Sequence, residues 1–294
     1  MAIAVGGSAA ANPGQNVTCS NFAERLKQSP NELDGRRLNE ALFEAAKLDC
    51  PAVAADLLAQ GASVKARNRF GATPINTAAA RGAREIVALL VENGADIEHP
   101  NLDGATPLIY AVKHSRRRMV SDLLEMGADV NAADKNGITG LMGAAFEGDT
   151  RMIKILLEAG AELEPVDRYG KSALFYAAGR AHVRAVRDLL AAGAAADLSH
   201  GHDLTALMWA AGHSNDAPAN DGVEVARALI EAGAAIDAQD DRGRTALMIA
   251  AGRGHMAMVE FLLSAGAQRD LGDRDGKTAA DLAATVEIKA RLEG

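Results

Sequence analysis

Aromatic side chains are scarce: one Trp, three Tyr and six Phe make up 3% of the 294 residues. Rings supply much of the buried area in a large enzyme core, so their scarcity argues against one. Cysteine is nearly absent, with two residues, too few for a Cys₄ zinc site or a dense disulfide scaffold. No apolar run reaches the ~18–20 residues of a membrane-spanning helix. A basic excess is also lacking, since the net charge is −8, which argues against a generally basic nucleic-acid binder. The 48% of apolar residues, alanine foremost, excludes a disordered chain. These absences leave a soluble, Ala/Gly/Leu-rich helical protein and say nothing about catalysis.

The order of the residues says more. A Gly-Ala dipeptide, usually following a Leu-Leu-type pair, starts at Gly61, Gly94, Gly127, Gly160, Gly193, Gly233 and Gly266. The spacing is 33 residues throughout, except 40 between Gly193 and Gly233. Thr73, Thr106, Thr139, Ser172, Thr205, Thr245 and Thr278 keep the same spacing and the same interruption. Two independent markers sharing one period identify an internal repeat. Within a unit, Gly71 permits a positive φ in a turn, Thr73 can cap a helix and Pro74 suits its first turn. Ala78 and Ala79 allow close helix approach. A second helix carries Ile86, Val87, Leu89 and Leu90 at helical spacing and stops at Gly94. Helices this short do not persist alone in water, so each unit must bury its apolar face on the next.

Residues 240–247 (DDRGRTAL), Ala250-Ala251, Gly254-His255, Met258-Val259, Leu262-Leu263 and Gly266-Ala267 resemble an ankyrin repeat. The resemblance covers residues 37–292. It implies an all-α solenoid of helix-turn-helix-hairpin units with full repeats at 68–100, 101–133, 134–166, 167–199, 200–239 and 240–272. Residues 37–67 and 273–294 are the expected caps. The domain is expected to span 36–294, behind an extension at 1–35. The histidine of the family's Thr-Pro-Leu-His signature is replaced by Asn76, Ile109, Met142, Phe175, Met208 and Met248, so apolar contacts are expected in place of its polar ladder. Asp203 replaces a turn glycine, which predicts a differently shaped hairpin in that repeat. The Ala/Gly/Arg-rich style looks bacterial.

The family binds mainly other proteins, and the resemblance implies that hairpin tips and first-helix ends line a concave groove. The 30 commonly variable positions of the six full repeats hold ten Lys or Arg against three Asp or Glu, inside a chain of charge −8. The candidate partner-binding residues are Arg69, Phe70, Arg81, Lys113, His114, Phe146, Arg168, Tyr169, Lys171, Arg180, His213, Arg242 and Arg253. Basic side chains interleaved with aromatic ones point to an acidic protein partner and to salt-sensitive binding. Solvated surface charge would give the same composition. The aromatic positions are too scattered for a nucleic-acid stacking platform.

The 40-residue spacing places seven extra residues between two helices, in a segment 213–222 of loop-forming composition. Ser214, Asn215, Asp216, Asn220 and Asp221 are expected to form a contact loop, or else a tolerated surface insertion. The alternative function, a metal or small-ligand binder, would use this loop with nearby His and Met residues, although its spacing matches no EF-hand or zinc motif. No nucleophile elbow, phosphate loop or His-Glu-x-x-His is present, so neither an enzyme nor a cofactor or metal is expected.

Residues 1–11 look like the tail of a secretory signal, with Ala9-x-Ala11 before a polar stretch, but lack its basic start and full apolar region. A disulfide between Cys19 and Cys50 would staple the extension onto the first cap and imply an exported, periplasm-like compartment. Two free thiols in a cytoplasm are the alternative. Polar caps favour a monomer.

Overall fold

A computed structural model describes residues 13–28, 34–212 and 219–294. They form two compact units, one ending at Lys135 and the other beginning at Asn136. The first contains α1 (Pro13–Lys27), α2 (Gly35–Leu48), α3 (Pro51–Ala59), α4 (Pro74–Arg81), α5 (Arg84–Glu92), α6 (Pro107–Lys113) and α7 (Arg117–Glu125). The second contains α8 (Gly140–Glu147), α9 (Thr150–Glu158), α10 (Ala173–Gly179), α11 (Val183–Ala191), α12 (Ala206–Ala211), α13 (Ala219–Glu231), α14 (Ala246–Arg253), α15 (Met256–Ser264) and α16 (Val286–Glu293). A two-residue antiparallel pair, β1 (Ser199–His200) with β2 (Leu204–Thr205), precedes α12. No helix among the described residues is long and apolar enough to cross a membrane.

Each unit is a stack of antiparallel helix pairs. The first helices pack on one another, α2 on α4 on α6 and α8 on α10 on α12 on α14, and so do the second, α3 on α5 and α9 on α11 on α13 on α15. Small side chains make this approach possible: the predicted Ala78 and Ala79 are fully buried, and so are Ala177, Ala178, Ala210, Ala211, Ala250 and Ala251. Leu42, Leu57, Ile75, Ile86 and Leu90 fill the first core, and Leu141, Met142, Met152 and Ile153 help fill the second. Each such side chain contributes roughly 1.5–3 kcal/mol by leaving water.

The threonines cap as expected. Thr139, Thr205 and Thr245 each accept a hydrogen bond from the third helical N–H at 3.3 Å, and Thr106 does so at 3.4 Å. The first full repeat departs from the expected loss of the polar ladder. Asn76 is completely buried. Its Oδ1 accepts from the Thr73 N–H and hydroxyl at 2.8 Å, and its Nδ2 donates to the His99 carbonyl at 3.0 Å. A buried amide must be satisfied, and here it links its helix to the segment leading into the following hairpin. The apolar expectation fits Met142, Phe175, Met208 and Met248, which are almost wholly buried.

The hairpins are built by Asn or Asp at their first position. Asn68, Asn101, Asp167, Asp240 and Asp273 each accept from the N–H groups two and four residues on, at 2.8–3.1 Å. At the same position the 200–239 repeat carries His200, which offers no such oxygen. There β1 and β2 pair instead, and His202 and Asp203 take left-handed φ values of 68° and 58°. The altered hairpin predicted from Asp203 is therefore present.

Successive tips are tied through the backbone. The Leu102 N–H donates to Phe70 C=O at 2.9 Å and Lys135 N–H to Asp103 C=O at 2.8 Å in the first unit. In the second, Arg168 N–H donates to Asn136 C=O at 2.7 Å, Asp241 to His202 at 2.9 Å and Arg274 to Arg242 at 2.9 Å. Such proximity requires glycine: a Cβ on Gly104, whose φ is +86°, would lie 2.6 Å from the Lys135 nitrogen.

Gly82, Gly148 and Gly254 end their helices in the left-handed region, and Ser115 holds the same repeat position at φ 55°. Ser115 is exposed, so Ser115→Gly removes left-handed strain at no packing cost. It is expected to stabilise the first unit by about 0.5–1 kcal/mol, read as a higher melting temperature.

The extension forms helix α1, which packs on α2 and buries Phe22. Cys19 and Cys50 are joined by a disulfide, with Cα atoms 5.5 Å apart. Cys50 sits at the N-cap of α3, where a free thiol would gain thiolate character; the bond removes that chemistry.

Candidate functional site

Hairpin tips and first-helix ends carry the candidate residues. In the first unit, Arg69, Phe70, Arg81, Lys113 and His114 are all exposed. The Arg69 guanidinium lies 4.6 Å from the centre of the Phe70 ring. Arg81 is held in place, because its Nε donates to the Lys47 carbonyl at 3.1 Å, a neutral acceptor that leaves its charge uncompensated. Partial burial, then Arg116, Lys113 and Arg81, push the His114 pKa below the ordinary imidazole value. The neighbouring cations make this a basic patch with a ring favouring its neutral form.

In the second unit the aromatic and basic side chains interlock. Arg168 lies 5.1 Å from the Tyr169 ring centre, and Arg180 4.9 Å from that of Phe146. Phe146 meets Tyr176 edge-on at 5.8 Å, and the Tyr176 hydroxyl donates to Asp167 at 2.6 Å. The Lys171 ammonium sits 4.4 Å from the Trp209 ring centre. Exposed apolar rings are unusual away from binding surfaces when they cluster, and Tyr169 is 64% exposed. Cations held over them keep the surface soluble and give it a sign.

Arg242 and Arg253 are also exposed. Beside them lies a solvent-open pocket of about 360 Å³, walled by Leu204, Met208, Trp209, Met248, Ile249 and Leu282, and lined by Arg244 and Arg253 as well. Sequence reasoning missed this pocket. Its signal is a repeat position held by Ala80, Lys113 and Phe146 early in the chain and by Gly179, Gly212 and Gly252 later. The later glycines leave the walls uncovered, and Trp209 packs where a Cβ on Gly179 would stand, 3.1 Å from its ring. Arg244 is held by Asp240 at 2.7 Å.

His213, Ser214, Asn215 and Asp216 lie outside the described residues. Asn220 and Asp221 are not in a loop, as the sequence suggested, but in the first turns of α13. The register of Arg84, Arg117, Thr150 and Val183 would start that helix at Val223, whereas it already runs from Ala219. Part of the insertion therefore lengthens a helix, with Asp221 near its N-terminus, where the helix dipole favours a carboxylate.

Paired helices stacked at a 33-residue period, tied by hairpins and presenting exposed tips, define a helical repeat protein. A family model described as ankyrin repeats matches three times, over residues 42–134, 141–219 and 216–289. The chain belongs to the ankyrin repeat family. Ankyrin repeats are protein–protein interaction modules and typically non-catalytic. No curated protein shows a significant match to the chain.

Proposed function

We propose that this chain is a non-catalytic, monomeric interaction module that offers a basic, aromatic-dotted concave groove to an acidic protein. Residues 36–294 act as one repeat domain behind the 1–35 extension. The observation that carries the reading is the recurrence, in both units, of a cation over an exposed ring: Arg69 on Phe70, Arg168 on Tyr169, Arg180 on Phe146. Aromatic and Arg side chains dominate binding energy at protein interfaces, and like-signed charge steers an opposite partner. Rigid stacking lowers the ordering cost of binding. The Cys19–Cys50 disulfide supports an exported, oxidising location, and the Ala/Gly/Arg-rich composition supports a bacterial source.

Cross-linking and affinity capture from the native cell, comparing wild type with Arg81→Glu/Arg180→Glu/Arg253→Glu, tests this. The variant is expected to lose its partner about tenfold or more at low salt, the difference shrinking as salt rises. Equal capture by a folded variant defeats the basic-groove reading.

A further inference from the structure

We infer that the pocket beside Trp209 receives an apolar side chain of the partner, presented on an extended acidic segment. This rests on the protein-binding reading above and names what the second unit recognises. The pocket walls are aliphatic, thioether and indole surface. Two of the walls, Met208 and Met248, have backbones fixed in buried helices, so the site is preformed. Its volume of about 360 Å³ is at the small end for a ligand site, suited to one large side chain.

Charge decides what surrounds that side chain. Exposed Arg253 lines the pocket, and the Lys171 ammonium lies on the Trp209 ring. Arg242, two residues before the pocket-lining Arg244, is exposed on the same hairpin. Asp240 is committed to Arg244, and Asp241 faces His202 at 2.6 Å. The pocket thus has an apolar floor and a cationic surround, which complements a Leu- or Phe-like side chain with Asp or Glu on either side. An open pocket covers one face of its occupant. That suits a side chain projecting from a longer chain better than a small molecule, which needs most of its surface buried.

Trp209 is the sole tryptophan, so its emission reports occupancy directly. The probes are a fluorescein-labelled acidic peptide with one central Leu, the same peptide with Ala in its place, and a third with Lys flanking the Leu. Binding to the full chain is read by anisotropy, and unlabelled peptides are used for Trp209 emission. The Leu-centred acidic peptide is expected to bind about tenfold more tightly than either control, because the Ala peptide leaves the apolar pocket unfilled and the Lys-flanked peptide meets like charge around it. It should also shift Trp209 emission. Gly252→Phe fills the pocket from a helical position where a Cβ meets nothing closer than 3.5 Å, and is expected to lose about tenfold in affinity. Should that variant melt early, Arg253→Glu, at an exposed position, supplies the second test and is expected to weaken binding and its salt dependence together.

Equal binding of the Ala-centred peptide overturns the pocket inference while leaving the basic groove intact. So does full binding by a folded Gly252→Phe variant. Isovalerate, which joins leucine's branched end to a carboxylate, overturns it in favour of a small acid if it competes as well as the peptide. Self-association that the peptide reverses assigns the pocket to a second copy and overturns it too. No peptide binding at all overturns it, and capture lost in the triple Arg variant would still sustain the groove.

Discussion

Cys19→Ala/Cys50→Ala is expected to free α1 from the first unit without unfolding the rest. The bond closes a loop with a sequence separation of 31, and chain entropy assigns such a cross-link about 3–4 kcal/mol. What remains to hold α1 is mainly Phe22, with Arg25 5.6 Å from its ring centre, and one buried ring offsets only a fraction of the ordering cost of the helix. In a repeat protein each element contacts only its neighbours, so the loss stays local. Hydrogen exchange across Pro13–Lys27 should accelerate by two orders of magnitude or more, with protection in α4 to α7 little altered. Mild reduction of the wild type should do the same. Unchanged exchange in α1 after reduction would mean that packing, not the cross-link, holds it.

The second large effect concerns Asp240. Its side chain is 1% exposed. It accepts from the Arg242 N–H at 2.9 Å, the Arg244 N–H at 2.8 Å, and the Arg244 guanidinium at 2.9 and 2.7 Å. Asp240→Ala leaves two hairpin N–H groups and a guanidinium without their acceptor, and is expected to cost roughly 2–3 kcal/mol. Asp240→Asn keeps Oδ1 for the backbone and should cost about half as much. Burial pushes this carboxyl up, but the hydrogen bonds from Arg244 and Arg242 outweigh it and leave its pKa below the ordinary 3.8. A depressed pKa means the unfolded chain binds the proton more readily. Asp240's contribution is therefore complete above about pH 4 and is lost as pH falls through its lower, folded value. Acid titration of thermal stability should show a shallower decline in Asp240→Asn than in wild type.

Much of this was legible in the sequence because the period repeats it. The Thr caps, the buried Ala pairs and the turn glycines each recur, and the structure places them where their chemistry requires. Less was legible where one residue does something new. Asn76 reads as a lost histidine, yet its amide carries both a cap and a cross-link. Asn68, Asn101, Asp167, Asp240 and Asp273 read as ordinary turn residues until each is seen to shape its hairpin through one oxygen. A second ladder was overlooked: Glu98 accepts from the Asp129 N–H at 2.8 Å in the first unit, while Glu164, Asp197 and Asp237 accept from Ala195, Ala235 and Gln268 at 3.0 Å in the second. Each of these four acids stands four residues after a Gly-Ala glycine, so the signal was present but only the fold shows what it touches. The pocket was hidden for a different reason, since side chains absent at Gly179, Gly212 and Gly252 leave no mark in a motif.

The ties between hairpin tips have one further consequence. They run from peptide nitrogen to peptide oxygen, and need only that glycine stay small at the crossing. Phe70, Leu102, Lys135 and Arg242 thus sit on backbone ties indifferent to their identity. Recognition and cohesion are written in separate alphabets, so the lineage can revise what it grips by point substitution at the tips without renegotiating the stack.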